Sequence, residues 1–277
     1  MSLLKQEAYR IILILRLCRI PQHHRTKPMK IATDGLIIKQ QNIGEQDKLV
    51  TVLTRDLGVV RAFVRGGKNI KNSKSSATSL LCYSALSLYK SKDAYIIDDA
   101  TVKNMFFSLR HDVADLSLAQ YFCELAAFIC PAEQRADSQL SLILNALYLL
   151  TEKKKDRDLI KACVELRLSA AAGYMPDLIM CKECGAYEAE EMYFSLKDGS
   201  IECKDCFSKK PFPASVCVDS GLLMAMRHIV FSEDKKVFSF SMSQKGIEAL
   251  NYVTETYICR VLEHDFGTLH FYKIMKS

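Results

Sequence analysis

Between residues 31 and 103, short stretches of alternating apolar and polar residues are separated by turn-forming sequences. A period of two is typical of strands that bury one face. A polar segment at 66–79 predicts a long loop between the third and fourth strands. The predicted strands are Ile31–Gln40, Lys48–Thr54, Val59–Arg65, Leu80–Lys90 and Ala94–Val102. Such a run of short strands favours a small barrel, because closure leaves no unpaired edge.

After residue 110 the apolar residues recur at every third or fourth position, which is the period of a helix with one buried face. The predicted helices span 116–129, 140–150, 159–172, 220–231 and 243–265. Pro131 ends the first of them, because proline has no backbone N–H to continue a helix. Residues 140–150 are apolar on nearly every face, so we expect this helix to be the central, buried one.

Four cysteines lie between the third and fourth predicted helices, in two C-x2-C pairs separated by eighteen residues. They are Cys181, Cys184, Cys203 and Cys206. Each pair can place two thiolates on one tight turn. Tyr193–Leu196 and Ser200–Glu202 flank an Asp-Gly turn, which predicts a hairpin that brings the two pairs together. This spacing is typical of a structural zinc ribbon.

The predicted ligand of the cysteines is a structural Zn²⁺, since four sulfur atoms complete a tetrahedral shell and leave no position for water. The metal would then stabilise the fold and not catalyse a reaction. Two other interpretations are unrelated cysteine pairs and redox-active C-x-x-C motifs. Redox motifs usually occur singly at the start of a helix, so two pairs around a hairpin suit redox chemistry poorly.

The chain has 277 residues and a formal net charge of +6, which allows a nucleic-acid partner without requiring one. The cysteines outside the array are scattered, and most lie in apolar surroundings, as free thiols do in a reducing cytosol. No apolar stretch is as long as a membrane span. These features together predict a cytoplasmic protein.

The first 28 residues differ from the rest of the chain. Their apolar run, Ile11–Leu15, is followed by Arg16 and Arg19 and lacks the long uncharged core and cleavage site of a signal peptide. Met29 stands directly before the first predicted strand. Our hypothesis is that 1–28 is an extension outside the fold, disordered or derived from a start codon assigned too far upstream. A basic, partly helical arm is the alternative.

From Leu57 to Lys92 the chain has no acidic residue, and basic residues lie on the third strand and the loop that follows it. The candidate phosphate contacts are Arg61, Arg65, Lys68, Lys71 and Lys74. Long cations among small residues suit the irregular spacing of phosphates, whereas a solvated loop without a partner is the alternative. Phe63 and Tyr83 either pack in the core, as strand aromatics usually do, or stack on bases.

Catalytic motifs are largely missing from the sequence, so no catalytic residue and no small-molecule substrate are predicted. The phosphate-loop pattern fails, because Asn69 follows Gly67-Lys68 where serine or threonine is needed. Neither H-E-x-x-H nor G-x-S-x-G occurs. Asp98 and Asp99 could bind a metal, which keeps a metal-dependent nuclease as one alternative. A zinc-ribbon adaptor that joins proteins without binding DNA is another.

Several motifs occur in a distinctive order along the chain. They are Gly44-x-x-Asp47-Lys48-Leu49, Thr54-Arg55-x-x-Gly58, Arg65-Gly66-Gly67-Lys68 and Gly173-Tyr174-x-Pro176-x-Leu178-x-x-Cys181-x-x-Cys184-Gly185. The strand and turn motifs are moderately specific, and the Gly-x-x-Pro lead into the cysteine array makes the combination strong. Together they resemble the bacterial recombination mediator family RecO over residues 29–273.

The resemblance implies an α+β multidomain fold, with an N-terminal OB-fold β-barrel at 29–105 and an all-α domain at 106–176 and 211–277. A zinc ribbon would be inserted at 177–210. It also implies a non-enzymatic, nucleoid-associated role in DNA repair: binding single- and double-stranded DNA, annealing strands, and helping to load recombinase onto protein-coated strands. The implied partners are RecR and the acidic C-terminal tail of the single-strand-binding protein.

By position, the resemblance assigns DNA contacts to Lys48, Arg55, Arg65 and Lys68 and zinc ligands to the four cysteines. The basic loop is less dense in arginine and lysine than is usual in the family, so we expect weaker or more salt-sensitive DNA binding. Residues 1–28 have no counterpart in the family pattern. The groove for the acidic tail would lie in the helical domain, where the resemblance does not place it on particular residues.

Overall fold

A computed structural model describes residues 30–69, 73–91, 94–209 and 214–276 of the chain. The hypothesis on residues 1–28 and the candidate contact Lys71 lie outside these residues. The predicted α+β fold class is confirmed, because a closed five-stranded barrel precedes a helical region. A small β-containing insertion within the helical region carries the cysteine cluster.

The strands of the barrel are β1 Lys30–Ile43, β2 Asp47–Thr54, β3 Gly58–Val64, β4 Cys82–Lys90 and β5 Tyr95–Met105. They close in the order β1-β2-β3-β5-β4. Neighbouring strands are antiparallel except for β3 and β5, which run parallel where the barrel closes. A register shift between Ile37 and Lys39 marks an irregularity in β1, of the kind that lets a strand bend around a barrel.

The interior of the barrel is filled by alternate residues of each strand, among them Val52, Val60 and Leu88. The loop predicted at 66–79 is not wholly irregular, because it contains the short helix α1, Ser73–Ala77. Ala77 is fully buried in the barrel core, and its carbonyl accepts a hydrogen bond from Ser84 Oγ at 2.8 Å. The helix therefore packs into the barrel, which the polar composition of the loop did not indicate.

The described helices that follow are α2 Val113–Ile129, α3 Asp137–Glu152, α4 Arg157–Ala171, α5 Lys204–Lys209, α6 Ser220–Phe231, α7 Gln244–Val261 and α8 Gly267–Lys276. Asp112, Asp156 and Asp219 cap α2, α4 and α6, since each carboxylate accepts backbone N–H groups of the first turn. None of the described helices has the length and apolar character needed to traverse a bilayer. The helix predicted at 243–265 is present as α7, which ends at Val261, and α8 is a further helix beyond the predicted range.

The central helix is α4 and not the one predicted from residues 140–150. The predicted helix, α3, leaves Tyr148 49% exposed, whereas nearly every residue of α4 from Asp158 to Ser169 is buried. Apolar content did not identify the central helix, because α4 buries charged residues as well as apolar ones. Lys161 is paired with Glu165 and Glu255 at 2.9 Å each, and this pairing permits the burial.

The insertion contains β6 Met192–Ser195, β7 Ile201–Cys203 and β8 Ser215–Val218, together with α5. The predicted hairpin is present as β6 and β7, and Gly199 at its turn has φ +72°. β8 was not predicted, and it pairs antiparallel with β6 to make a three-stranded sheet in the order β7-β6-β8. Met192 and Phe194 of β6 join the same hydrophobic core as the helices, so the insertion is packed against them.

The barrel and the helical region share apolar contacts as well as backbone hydrogen bonds. Leu36 and Leu53 of the barrel belong to the hydrophobic core formed mainly by the helices. Val59 N donates to Pro131 O at 2.9 Å. A Cβ at Gly58, whose φ is +61°, would lie 2.0 Å from the same carbonyl oxygen. Only glycine therefore allows the chain between α2 and α3 to approach the barrel this closely.

Candidate metal centre and nucleic-acid surface

The four cysteine sulfur atoms converge, and all of them lie within 4.8 Å of one another. Sulfur ligands at about 2.3 Å from a tetrahedral Zn²⁺ are separated by roughly 3.8 Å. The Sγ atoms of Cys184 and Cys203 are 3.7 Å apart. The donor set thus fits a four-coordinate metal in both chemistry and size, and in the described residues it is the one such group of metal-ligating side chains.

Local backbone geometry aims the sulfur atoms at a common point. Cys181 and Cys184 lie on a tight turn in which Gly185 N donates to Cys181 O at 2.9 Å, and Gly185 has φ +75°. Cys203 ends β7, and Cys206 follows in α5. The pairing of β6 with β7 determines where this second pair lies.

The thiols of the cluster differ in how readily they lose a proton. Burial raises the pKa of Cys181, but hydrogen bonds from the backbone of Cys184, Cys203 and Glu183 lower it overall to about 6. Hydrogen bonds with the Cys203 and Cys184 side chains raise the pKa of Cys206 to about 12. A divalent cation would hold all four as thiolates, because metal ligation requires deprotonated sulfur.

A buried arginine, Arg227 of α6, fastens the first cysteine turn to the helical region. Its guanidinium donates to the carbonyl oxygens of Leu178 at 2.7 Å, Ile179 at 2.9 Å and Tyr187 at 2.8 Å. The Arg227 guanidinium carbon also lies 4.1 Å from the centre of the Tyr187 ring. Sequence reasoning missed this residue. Its signal is a lone arginine within an otherwise apolar helix.

Arg61 and Phe63 are exposed on the outer face of β3, and Arg65 is exposed in the turn that follows the strand, while Val60, Ala62 and Val64 point inward and are buried. Neither arginine forms an ion pair or hydrogen bond through its side chain with another residue of the described chain. The predicted sharing of one strand face by Arg61 and Arg65 stays a prediction, because Arg65 lies in the turn after β3 and not on the strand. Phe63, 37% exposed, lies between them and outside both hydrophobic cores.

The basic loop after β3 is held against the turn between β1 and β2. Lys68 Nζ donates to Gly44 O at 2.6 Å, and Gly66 N donates to Asp47 Oδ1 at 2.8 Å. Lys74, on α1, donates from Nζ to Asp98 O at 3.2 Å. Lys68 and Lys74 thus lie near different parts of the barrel rim, and each has a neutral carbonyl oxygen as its partner.

Two of the candidate contacts differ from the exposed arginines at β3, since Lys48 is buried and Arg55 is ion-paired. Lys48 on β2 is only 7% exposed, and burial lowers its pKa. Arg55 lies between the barrel and α3, where it pairs with Asp34 at 3.2 Å and with Asp137 at 3.3 Å. Ala136 N also donates to Arg55 O at 3.0 Å. Arg55 therefore connects the two regions of the molecule, a role that its position in the sequence did not suggest.

The remaining candidates are occupied by contacts within the fold. The Tyr83 hydroxyl accepts a hydrogen bond from Arg55 at 3.4 Å, and its side chain packs against the main hydrophobic core. The Asp98 carboxylate is paired with Lys30 Nζ at 2.5 Å, and this pairing lowers the pKa of Asp98. This contact gives no support to a divalent-metal site at Asp98 and Asp99.

Comparison with known proteins relates this chain to one family over nearly its whole described length. A family model described as "Recombination protein O N terminal" matches residues 29–106, and one described as "Recombination protein O C terminal" matches residues 110–270. A protein named DNA repair protein RecO from Acetivibrio thermocellus is 29% identical over 245 residues, covering 88% of this chain and 97% of the relative. Proteins of the same name are similar in Caldicellulosiruptor bescii, at 28% identity over 89% of this chain and 99% of the relative, and in Dehalococcoides mccartyi, at 27% over 87% and 94%.

Proposed function

The chain belongs to the RecO family of non-enzymatic DNA repair and recombination proteins, and from this premise we propose that it is a DNA-binding recombination mediator. It binds single- and double-stranded DNA, anneals complementary strands and assists the loading of recombinase onto protein-coated single strands. The proposed mechanism is electrostatic. Cations on the barrel neutralise phosphates of two strands and so reduce the repulsion that opposes annealing.

The observation that carries this proposal is the exposed pair Arg61, on the outer face of β3, and Arg65, in the turn after it, with Lys68 and Lys74 in the loop and short helix that follow. Five-stranded barrels of this kind commonly bind oligonucleotides on one face and the adjacent loops. Lys71 completes the proposed contacts. Lys48 and Arg55 are proposed to contribute positive charge next to this surface. Lys48 is nearly buried beneath it and Arg55 is ion-paired beside it.

Titration of a labelled oligonucleotide across a salt series tests DNA binding. If about five phosphates of a single strand are neutralised, log K should fall against log salt with a slope near −3.5. Replacing Lys68, Lys71 and Lys74 together by alanine should weaken binding to all sequences and make the slope shallower by about 2. Removing three exposed lysines elsewhere, Lys197, Lys235 and Lys245, is the matched control for lost net charge. A slope near zero for the unmodified protein would reject the electrostatic mechanism.

We propose that the cysteine cluster binds a structural Zn²⁺ and that residues 177–210 are a zinc ribbon inserted into a helical domain of 106–176 and 211–277. The barrel of 29–105 is the proposed DNA-binding domain. The fit of the sulfur positions to a tetrahedron supports zinc, and the sulfur-only donor set supports a structural role. Bound zinc would hold the two cysteine turns together, and Arg227 would connect them to α6.

The proposed protein partners are RecR and the acidic C-terminal tail of the single-strand-binding protein, and the proposed location is the bacterial cytoplasm at the nucleoid. The assay that tests these proposals together measures the annealing of complementary strands coated with the single-strand-binding protein. A zinc-ribbon adaptor without DNA binding would fail to bind oligonucleotides at low salt. A nuclease would instead cleave them when magnesium is added.

A further inference from the structure

We propose that Phe63 is a base-stacking residue and that the outer face of β3 thereby selects unpaired DNA over duplex DNA. This inference rests on the proposed function and deepens it, because it names the form of DNA that this face recognises. The exposed ring of Phe63 distinguishes this face of the barrel from a surface that carries only basic residues. A phosphate-binding surface gains little from an apolar ring, whereas a surface that holds bases requires one.

The ring is accessible where a core residue would be buried. Phe63 is 37% exposed and belongs to neither hydrophobic core, although it is a large apolar residue within a strand. Its register partners are Leu49 on β2 and Ile96 on β5. These apolar neighbours flank the ring on the barrel wall, and part of it remains open to solvent.

Positive charge lies on both sides of Phe63 along the chain. Arg61 is two residues before Phe63 on β3 and shares its outer face, which places their Cα atoms roughly 7 Å apart, and Arg65 follows in the turn directly after the strand. Both arginines are exposed and form no side-chain ion pair with the described residues. This arrangement of cation, ring and cation is complementary to a polyanion that carries flat apolar groups along its length.

A single strand of DNA fits these features better than a duplex does. Bases of an unpaired strand can turn their π-faces toward an aromatic ring, whereas the bases of a duplex are already stacked and must be displaced at an energetic cost. Stacking uses the face of the base and leaves the edge that forms base pairs free. A strand held by Phe63 would therefore remain able to find its complement, as annealing requires.

The surface beside Arg61 has room for the strand to continue. A groove of about 410 Å³ runs between β3 and the end of β4, and its lining includes Arg61, Lys90, Tyr95 and Glu133. Lys90 is paired with Glu133 at 2.6 Å. A neighbouring nucleotide entering this groove would meet Arg61 first and could compete with Glu133 for Lys90.

The test compares three labelled oligomers of equal length with the full chain: a single strand, a duplex, and an abasic single strand that keeps the phosphates without the bases. Phe63→Ala should weaken single-strand binding on the order of tenfold. Binding to the duplex and to the abasic strand should change by less than about twofold, because the phosphate contacts remain. Equal weakening for all three would overturn the inference, since it would indicate a packing role.

A spectroscopic readout is independent of affinity. The chain has no tryptophan, so Phe63→Trp introduces a single tryptophan on this face, whose emission can be excited selectively over that of the tyrosines. Its emission should be quenched by the single strand and not by the abasic strand. Tyr252→Trp, at a position 58% exposed on α7, is the control and should be unaffected by either oligomer. Absence of quenching in Phe63→Trp, or equal quenching by an acidic peptide, would overturn the inference.

The outcomes separate this inference from the proposed function. If the unmodified protein binds none of the oligomers, DNA binding itself fails. If it binds them with a steep salt dependence, but Phe63→Ala changes the affinity for all three oligomers by the same factor, only the stacking role of Phe63 is rejected.

Discussion

Replacing Lys161 by methionine should destabilise the protein by roughly 3–5 kcal/mol, because it leaves a buried carboxylate without its counter-charge. Lys161 Nζ has three acceptors, Glu165 and Glu255 at 2.9 Å and Asn251 at 2.8 Å, and these match its three N–H groups. The side chains of Lys161 and Glu165 are 1% and 0% exposed. Glu255 is less affected by the change, since Lys273 contacts it at 2.6 Å.

A second substitution should recover much of this loss. Glu165 also accepts hydrogen bonds from the Tyr121 hydroxyl and Thr254 Oγ1, both at 2.8 Å. A neutral glutamine keeps one oxygen to accept from one of these hydroxyls, and its NH2 group can donate to the oxygen of the other, without a buried charge. The double variant Lys161→Met with Glu165→Gln should therefore be at least about 1 kcal/mol more stable than Lys161→Met alone. Urea unfolding with an unchanged m-value is the measurement.

The pH dependence checks the same reasoning. Burial raises the pKa of Glu165 against the opposing effect of Lys161, and loss of Lys161 should raise it further. A carboxyl whose pKa is higher in the folded state takes up a proton on folding, so its penalty is smallest below the unfolded value near 4.3 and grows as pH rises through the folded value. Lys161→Met should thus lose less stability at about pH 5 than at about pH 8. A deficit that is independent of pH, and that the second substitution does not reduce, would refute the reasoning.

Two further outcomes are expected. Arg55→Ala should lower the free energy of unfolding by about 1 kcal/mol through loss of partly exposed ion pairs, while the salt slope of DNA binding changes less than it does in Arg65→Ala. A larger loss of slope in Arg55→Ala would mean that Arg55 contacts DNA. Cys203→Ser should release bound zinc and destabilise the helical region that carries the ribbon. Metal analysis and chelator-dependent unfolding measure this, and full stability of the metal-free protein would contradict a structural role.

Local patterns were sufficient where the structure depends on nearby residues. The five strands of the barrel follow the alternation of apolar and polar residues, and α6 spans the predicted 220–231. The hairpin of the insertion follows from the Asp-Gly turn and the strand-forming residues beside it. Local sequence patterns did not predict elements that form because of tertiary packing. α1 lies in a polar loop that was predicted to be irregular, and β8 is a strand only because β6 offers it a partner.

The amino-acid sequence alone determined the barrel, the helical region, the cysteine cluster and the family, because periodicity, turn residues and motif spacing are local properties of the chain. Only the tertiary structure decided which helix is central, since burial of Lys161 depends on acids that lie far away in sequence. It also decided that Arg55 pairs with acids at the junction while Arg61 and Arg65 remain exposed. Arginines with the same charge have different roles because the folding of distant segments determines whether an acidic partner lies next to each of them.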